Sequence, residues 1–235
     1  MDLHHFFHCY ADGAWEIPVH EHIGALRFGG LYDQLASFQI GFVGSDDNIE
    51  RVCDALAVYG VNYTPVASVT QGFEQETLDK LYDFSQDHDG AVLYTHTKGS
   101  SRVESIDNPW RQSMEQLCVV DWRVAVAALE CDGKSIVGCH WIKGDPDIER
   151  LAEAWRNREL NPPGLDGVGG MFGGNFWWTR LELVRQNCRP GRESRFAAEH
   201  WLGQLSEVMP INVDTILDLN PVPITRSNLV PLRLA

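Results

Sequence analysis

The chain is 235 residues long, 44% apolar and 10% aromatic, which suits one large domain with a sizeable core and excludes global disorder. A formal net charge of −14 at pH 7 repels nucleic acid and anionic membrane, and the sequence carries no local basic patch to offset it. No stretch approaches the roughly 20 apolar residues of a membrane span.

The first hundred residues alternate between strand and helix patterns. Leu3 to Tyr10 is apolar, aromatic and β-leaning, and an Asp12-Gly13 turn follows. Pro18 to Arg27 predicts a helix, with the Pro in the first turn where it is tolerated, and Gly29-Gly30 ends it. Phe38 to Val43 is a second strand, closed by Gly44-Ser45-Asp46-Asp47-Asn48, a capping string for a helix over Ile49 to Tyr59. Asn62 to Val69 is a third strand. Phe73 to Asp87 is a helix with Leu78, Leu81 and Phe84 at helical spacing, and Ala91 to Thr95 is a fourth strand. This alternation predicts an α/β fold with a mostly parallel sheet and right-handed crossovers.

The second half is less regular. Trp110 to Leu129 reads as a helix, Ser135 to Trp141 as a strand and Ile148 to Arg158 as a helix. Residues 161–170 are turn-rich and lead into Met171-Phe172-Gly173-Gly174-Asn175-Phe176-Trp177-Trp178. A helix is expected around Arg195 to Leu205, and the tail from Pro210 reads as irregular. The expectation is a single domain over 1–235, with halves 1–102 and 103–235 sharing one sheet.

The most informative stretch is Tyr94-Thr95-His96-Thr97-Lys98-Gly99, at the end of the fourth strand. Ligands of open α/β sheets collect at the carboxyl ends of strands. A hydroxyl, an imidazole and an ammonium there, followed by Gly99-Ser100-Ser101-Arg102, suit phosphate oxygens. The plainer alternative is a capped loop with a solvated Lys. The string is not a Walker A loop, because the Lys precedes the Gly.

Two further features carry chemistry. Gly169-Gly170 and Gly173-Gly174 allow close backbone approach to a ligand, and the adjoining Asn175, Phe176, Trp177 and Trp178 offer an amide and flat faces of the kind that sugars use. At least one of those aromatics must be core, because successive strand side chains face opposite ways. On a helix, Arg195 and Glu199 fall at i and i+4, as a surface ion pair or as a carboxylate available as general base. Asp46-Asp47 has the donor chemistry for a divalent cation, yet as a helix cap it already has a structural use. His4 and His8 share a strand face without making a compact site with His5. The six cysteines are scattered, with no CxxC pair, and the N-terminus has no basic signal-peptide region; both are as expected of a cytoplasmic protein.

Taken together, these segments resemble a family of small glycosyltransferases of bacteria, viruses and their polysaccharide clusters. The resemblance runs through the first strand with His8 and Tyr10, Gly30-Leu31-Tyr32-Asp33, Leu93 to Gly99, and Trp110-Arg111 with Met114. It continues through Gly174-Asn175-Phe176-Trp177-Trp178 and Arg195 with Ala198-Glu199 and Trp201, so it spans roughly residues 3 to 205. One departure is visible: Met171 and Phe172 stand where the family pattern leads one to expect a His.

The resemblance implies a GT-A fold that takes a nucleotide-sugar donor and a carbohydrate or glycan acceptor, with 1–102 as the donor half and 103–235 as the acceptor half. In that fold the fourth strand usually ends in acids that hold a divalent metal. Here His96-Thr97-Lys98 stands at that place, so Lys98 is expected to replace the metal's charge, helped by Arg102 or Arg111, with no cofactor required. His8, Tyr10, Asp46, Thr95, Lys98 and Arg102 are the expected donor contacts. Trp110, Arg111, Gly174, Asn175, Trp177 and Trp178 are the expected acceptor contacts, with Glu199, Lys98 and His96 catalytic. Two alternatives stay open: a nucleotidyltransferase on the same half-sheet, and a non-catalytic carbohydrate-binding protein using Trp177 or Trp178 as its platform.

Overall fold

The computed structural model describes residues 1–100, 109–131, 135–143, 170–192, 197–204 and 209–212. The expected helix over 148–158, the turn-rich stretch 161–169, and Arg102 and Arg195 lie outside the described residues.

Four strands alternate with three helices in the first hundred residues: β1 Leu3–Tyr10, α1 Glu16–Phe28, β2 Leu35–Val43, α2 Asp46–Val58, β3 Thr64–Val69, α3 Gln75–Asp87 and β4 Ala91–His96. Then follow α4 Pro109–Met114, a π-helical turn Glu115–Val120, α5 Trp122–Cys131, β5 Ser135–Gly138 and β6 Trp141–Lys143. The rest are β7 Gly170–Phe172, β8 Trp177–Arg180, α6 Leu181–Gln186, α7 Ala197–His200 and β9 Met209–Asn212.

The main sheet has seven strands in the order β3-β2-β1-β4-β8-β5-β9, and β6 pairs with β7 in a separate ribbon. β1 to β4 run parallel, β8 runs antiparallel to both of its neighbours, and β9 runs parallel to β5. The central strands β1 and β4 are buried on both faces, as a parallel strand under two helical layers must be.

On one face Leu3, Phe7, Cys9 and Leu93 pack against Val19, Ile23 and Leu26 of α1 and Leu117 and Ala125 of the following helical segment. On the other, Phe6, Val92 and Tyr94 pack against Leu78 and Leu81 of α3 and against Leu181 and Trp201. Gly41 in β2 lets α3 come close, since a Cβ there would lie 2.1 Å from Thr77 Oγ1.

Three expectations are corrected. The stretch 135–141 is not one strand: His140 takes φ 59°, so β5 and β6 separate into different sheets. The helix after Pro109 is interrupted by the π-helical turn. The start of the tail from Pro210, expected to be irregular, belongs to the edge strand β9 Met209–Asn212, where Pro210 is tolerated.

Candidate active site

The parallel register sets His8 of β1 opposite His96 of β4, so both imidazoles reach the α3 side at the carboxyl end of the sheet. Between them stands Glu74, the residue that precedes α3. Its Oε2 accepts hydrogen bonds from the Tyr94 hydroxyl at 2.9 Å and from Asn175 Nδ2 at 2.6 Å, and its Oε1 lies 3.4 Å from His96 Nδ1. Burial works against the Glu74 charge, but His96, His8, Asn175 and Tyr94 outweigh it and hold the carboxyl below its ordinary range.

The loop Gly173–Asn175 closes onto this cluster. His96 Nε2–H donates to the Gly174 carbonyl at 2.8 Å, and the Gly173 amide donates to the His140 carbonyl. Gly174 takes φ +99°, and a Cβ there would sit 2.4 Å from Met114 Sδ. Asn175 takes φ 56°, a left-handed conformation that Asn tolerates better than most residues. Its Oδ1 accepts from Trp177 Nε1 at 2.7 Å. Glu199, partly exposed on α7, lies near enough to Tyr94 to help push that hydroxyl's pKa up, after burial and Glu74.

Burial pushes the His8 imidazole down to about 4, while Glu74 pulls it up and His96 adds to the depression. Its Nδ1 lies 2.8 Å from Thr77 Oγ1. His96 is lowered from its ordinary value mainly by burial, against the pull of Glu74.

On the opposite face of β4 lies a second polar network. His22 Nδ1–H donates to both Glu115 oxygens at 2.9 Å, and His22 Nε2 lies 3.2 Å from Thr95 Oγ1. That hydroxyl also lies 2.8 Å from His5 Nε2. His5 is held well below its ordinary value by burial, and among the described residues its Nδ1 has no hydrogen-bond partner.

Several of the residues expected to touch a ligand are engaged within the protein instead. Thr95 is buried and spends its hydroxyl on His5 and His22. Trp178 is fully buried on the α5 side, its Nε1 donating to the Cys118 carbonyl, and Trp177 is buried on the opposite side against Tyr94. Neither can be a sugar platform. Asn175 is 1% exposed and its amide bridges Glu74 and Trp177. Arg111 is buried, its Nε donating to Glu21 at 2.7 Å and its Nη1 to the Lys98 carbonyl. His8 is buried too. His96 turns one ring nitrogen to Gly174 and the other to Glu74, so it joins loop to sheet and has no nitrogen left for a substrate.

The remaining expected residues line the carboxyl edge. Lys98 is partly exposed, its ammonium 4.9 Å from the centre of the Trp110 ring, which is itself 45% exposed. The Tyr10 amide donates to Thr97 Oγ1, tying the end of β1 to the β4 loop. Asp46 is exposed in the first turn of α2. Beside it stands Asp12, which the sequence does not single out: its Oδ1 accepts from the Ser45 amide, the Ser45 hydroxyl and Asn48 Nδ2, which hold its carboxyl below the usual range.

Glu74 is the other residue that the sequence did not disclose. Its only local signal is an acid at a helix start, which reads as a dipole complement. Its decisive partner Asn175 is 101 residues away.

Solved structures share this architecture. Glucosyl-3-phosphoglycerate synthase from Mycobacterium tuberculosis in complex with uridine diphosphate aligns at a TM-score of 0.51 and 14% identity, over 90% of this chain and 70% of that one. A second structure of the M. tuberculosis enzyme gives the same values. The fold is GT-A-like. A CMP:2-keto-3-deoxy-manno-octonic acid synthetase complexed with CTP aligns over 90% of both chains at 0.47 and 9%, too weak a likeness to weigh between activities. A family model described as a domain of unknown function, DUF8361, matches residues 31–132, less than half the chain. No curated protein matches. Among the described residues, no helix is long and apolar enough to cross a membrane.

Proposed function

We propose that the protein transfers a sugar from a nucleotide-sugar donor to a hydroxyl acceptor. The observations that support this reading are Lys98 and the Gly173–Asn175 loop at the carboxyl end of β4 on a GT-A-like sheet, with Glu199 acting electrostatically on Tyr94 of the same strand. The uridine diphosphate held by a protein of like fold supports the donor class.

In this reading the diphosphate lies along the β1, β2 and β4 loops, where Tyr10, Asp12 and Asp46 face the nucleoside and the Lys98 ammonium faces the phosphates. Glu199 accepts the proton of the acceptor hydroxyl as its oxygen bonds to the anomeric carbon. The bond from that carbon to the diphosphate breaks, and the leaving oxygen carries its electron pair toward Lys98. Glu199 suits the base role better than Glu74: a carboxylate with lowered proton affinity and two donors on one oxygen is a poor proton acceptor.

The end of β4 does not fit a divalent ion. His96 has both nitrogens turned to protein groups, Lys98 is a cation, and among the described residues no three His, Cys, Asp or Glu side chains gather to hold a metal. We therefore propose transfer without a bound metal.

The decisive assay titrates UDP, GDP and CDP by calorimetry and then screens their sugar conjugates, with and without EDTA. One of the diphosphates should bind, and EDTA should leave turnover intact. Lys98→Ala should weaken binding roughly ten- to hundredfold, as expected for losing charge-assisted hydrogen bonds. A strict Mn²⁺ or Mg²⁺ requirement would remove Lys98 from its role, and failure of every nucleotide to bind would remove the function. Release of a nucleoside diphosphate, not pyrophosphate, separates sugar transfer from nucleotidyl transfer.

A further inference from the structure

Glu74 is in the wrong place to be only a helix-start acid. Its carboxylate is largely buried, and burying a charge is costly unless specific partners compensate. Those partners belong to different parts of the chain: Tyr94 and His96 on β4, and Asn175 in the loop before β8. An uncharged amide oxygen would still accept from the Tyr94 hydroxyl and the Asn175 amide, though more weakly than a carboxylate does. The negative charge acts on the two imidazoles, His96 and His8, whose proton affinities it raises against their burial.

We propose that Glu74 is the positioning residue of this site, the single group that sets the Gly173–Asn175 loop against the end of β4 in the shape that receives the sugar-bearing ligand. The ligand rests on the function proposed above; the loop geometry does not. Glu74 acts along two lines. Through Asn175 it holds an amide whose other end locks Trp177, so the left-handed Asn175 is fixed on both sides. Through His96 it faces Nδ1 at 3.4 Å while Nε2–H grips the Gly174 carbonyl at 2.8 Å: the carbonyl holds the Nε2 proton of the neutral ring, and the carboxylate favours a second proton on Nδ1, so its charge raises the proton affinity of the ring that joins loop to sheet.

The groups that bear on His96 are Glu74 before α3, Lys98 on its own loop, His22 of α1 and His8 of β1, with Glu199 of α7 beyond Tyr94. Among the described residues, Glu74 is the one carboxylate acting on the ring directly. Lys98 and His22 both disfavour its cation. Replacing Glu74 by Gln therefore moves the His96 titration to lower pH, an effect that lost packing alone would not produce.

The test compares wild type, Glu74→Gln and Glu74→Ala by ¹⁵N imidazole NMR, assigned with His96→Gln, and by hydrogen exchange of peptides covering residues 170–178. In the wild type at neutral pH, His96 should be the Nε2–H tautomer. Glu74→Gln should lower the His96 midpoint while raising loop exchange less than Glu74→Ala does. Glu74→Ala should speed loop exchange about tenfold or more, the effect of losing one charge-assisted hydrogen bond. An Nδ1–H tautomer in the wild type overturns the proposal without any variant. So does an unchanged His96 midpoint in Glu74→Gln, or unchanged loop exchange in Glu74→Ala. UDP, GDP and CDP titrations of the wild type keep the function and the loop geometry apart. Without binding, the function fails and the loop geometry stands; binding with an indifferent Glu74 upholds the function and overturns the positioning role.

Discussion

Gly174→Ala tests the loop on which both proposals depend. Gly174 takes φ +99°, where an L-residue with a Cβ is strained by about 1–3 kcal/mol. The added methyl also meets Met114, with Sδ at 2.4 Å and Cε at 2.9 Å, and Met114 is fully buried, so its end must move within a packed core. Overpacking of that kind costs roughly 1–3 kcal/mol. The two together come to about 2–6 kcal/mol, and at about 2–4 °C per kcal/mol for a chain of this size Tm should fall by roughly 4–24 °C. Differential scanning calorimetry of Gly174→Ala, Met114→Ala and the double variant separates the terms. Met114→Ala should relieve the steric part and leave the backbone part, so the double variant should be more stable than the sum of the single losses predicts. A Gly174→Ala protein that melts within about 1 °C of wild type would refute the loop geometry. Strict additivity in the double variant would refute the contact with Met114.

Two more outcomes follow from buried groups near the site. His8 has its pKa depressed from 6.5 to about 4, so the unfolded chain takes up the proton first; its stability contribution is present above pH 6.5 and is lost as pH falls toward 4. That difference amounts to about 3 kcal/mol, so urea midpoints of His8→Gln should decline less steeply than wild type between pH 6.5 and 4, and an equally steep decline would exclude His8 as a source. Glu115→Ala leaves the buried His22 Nδ1–H without its acceptor and should cost roughly 1–3 kcal/mol, a Tm loss of about 2–12 °C, whereas Glu115→Gln keeps an acceptor and should lose less than half of that. Equal losses in the two variants would show that the hydrogen bond is not what matters.

The four parallel strands were legible because β1 and β4 are central and buried on both faces, which writes them as apolar runs closed by Gly, Asp and His. The edge strand β9 was not legible. It is four residues long and contains Pro210, a combination that reads as loop unless a partner strand is known, and its partner β5 lies roughly seventy residues earlier. Asp12 and Glu74 escape a reading of the sequence for a related reason. Each has a bland local meaning, a turn acid and a helix-start acid, and acquires its role only from residues that the sheet brings in from elsewhere.

The Gly-Asn-Phe-Trp-Trp string shows how a motif can be taken up by the protein's own packing. Strand pairing of β4 with β8 does bring it to the His-Thr-Lys-Gly corner. Yet its members spend their chemistry on the protein: Gly174 supplies a positive φ, Asn175 a left-handed turn and a bridging amide, Phe176 and Trp178 one core, Trp177 the other. A motif this dense in aromatics records the shape of a loop. The partly exposed groups near it come from other elements: Lys98, which the His-Thr-Lys-Gly string does announce, Trp110 beside it, and Glu199, which acts on Tyr94. A search for ligand contacts at such a site should start from the exposed side chains that the rigid loop faces, because the residues that make a loop rigid are the ones least able to touch anything else.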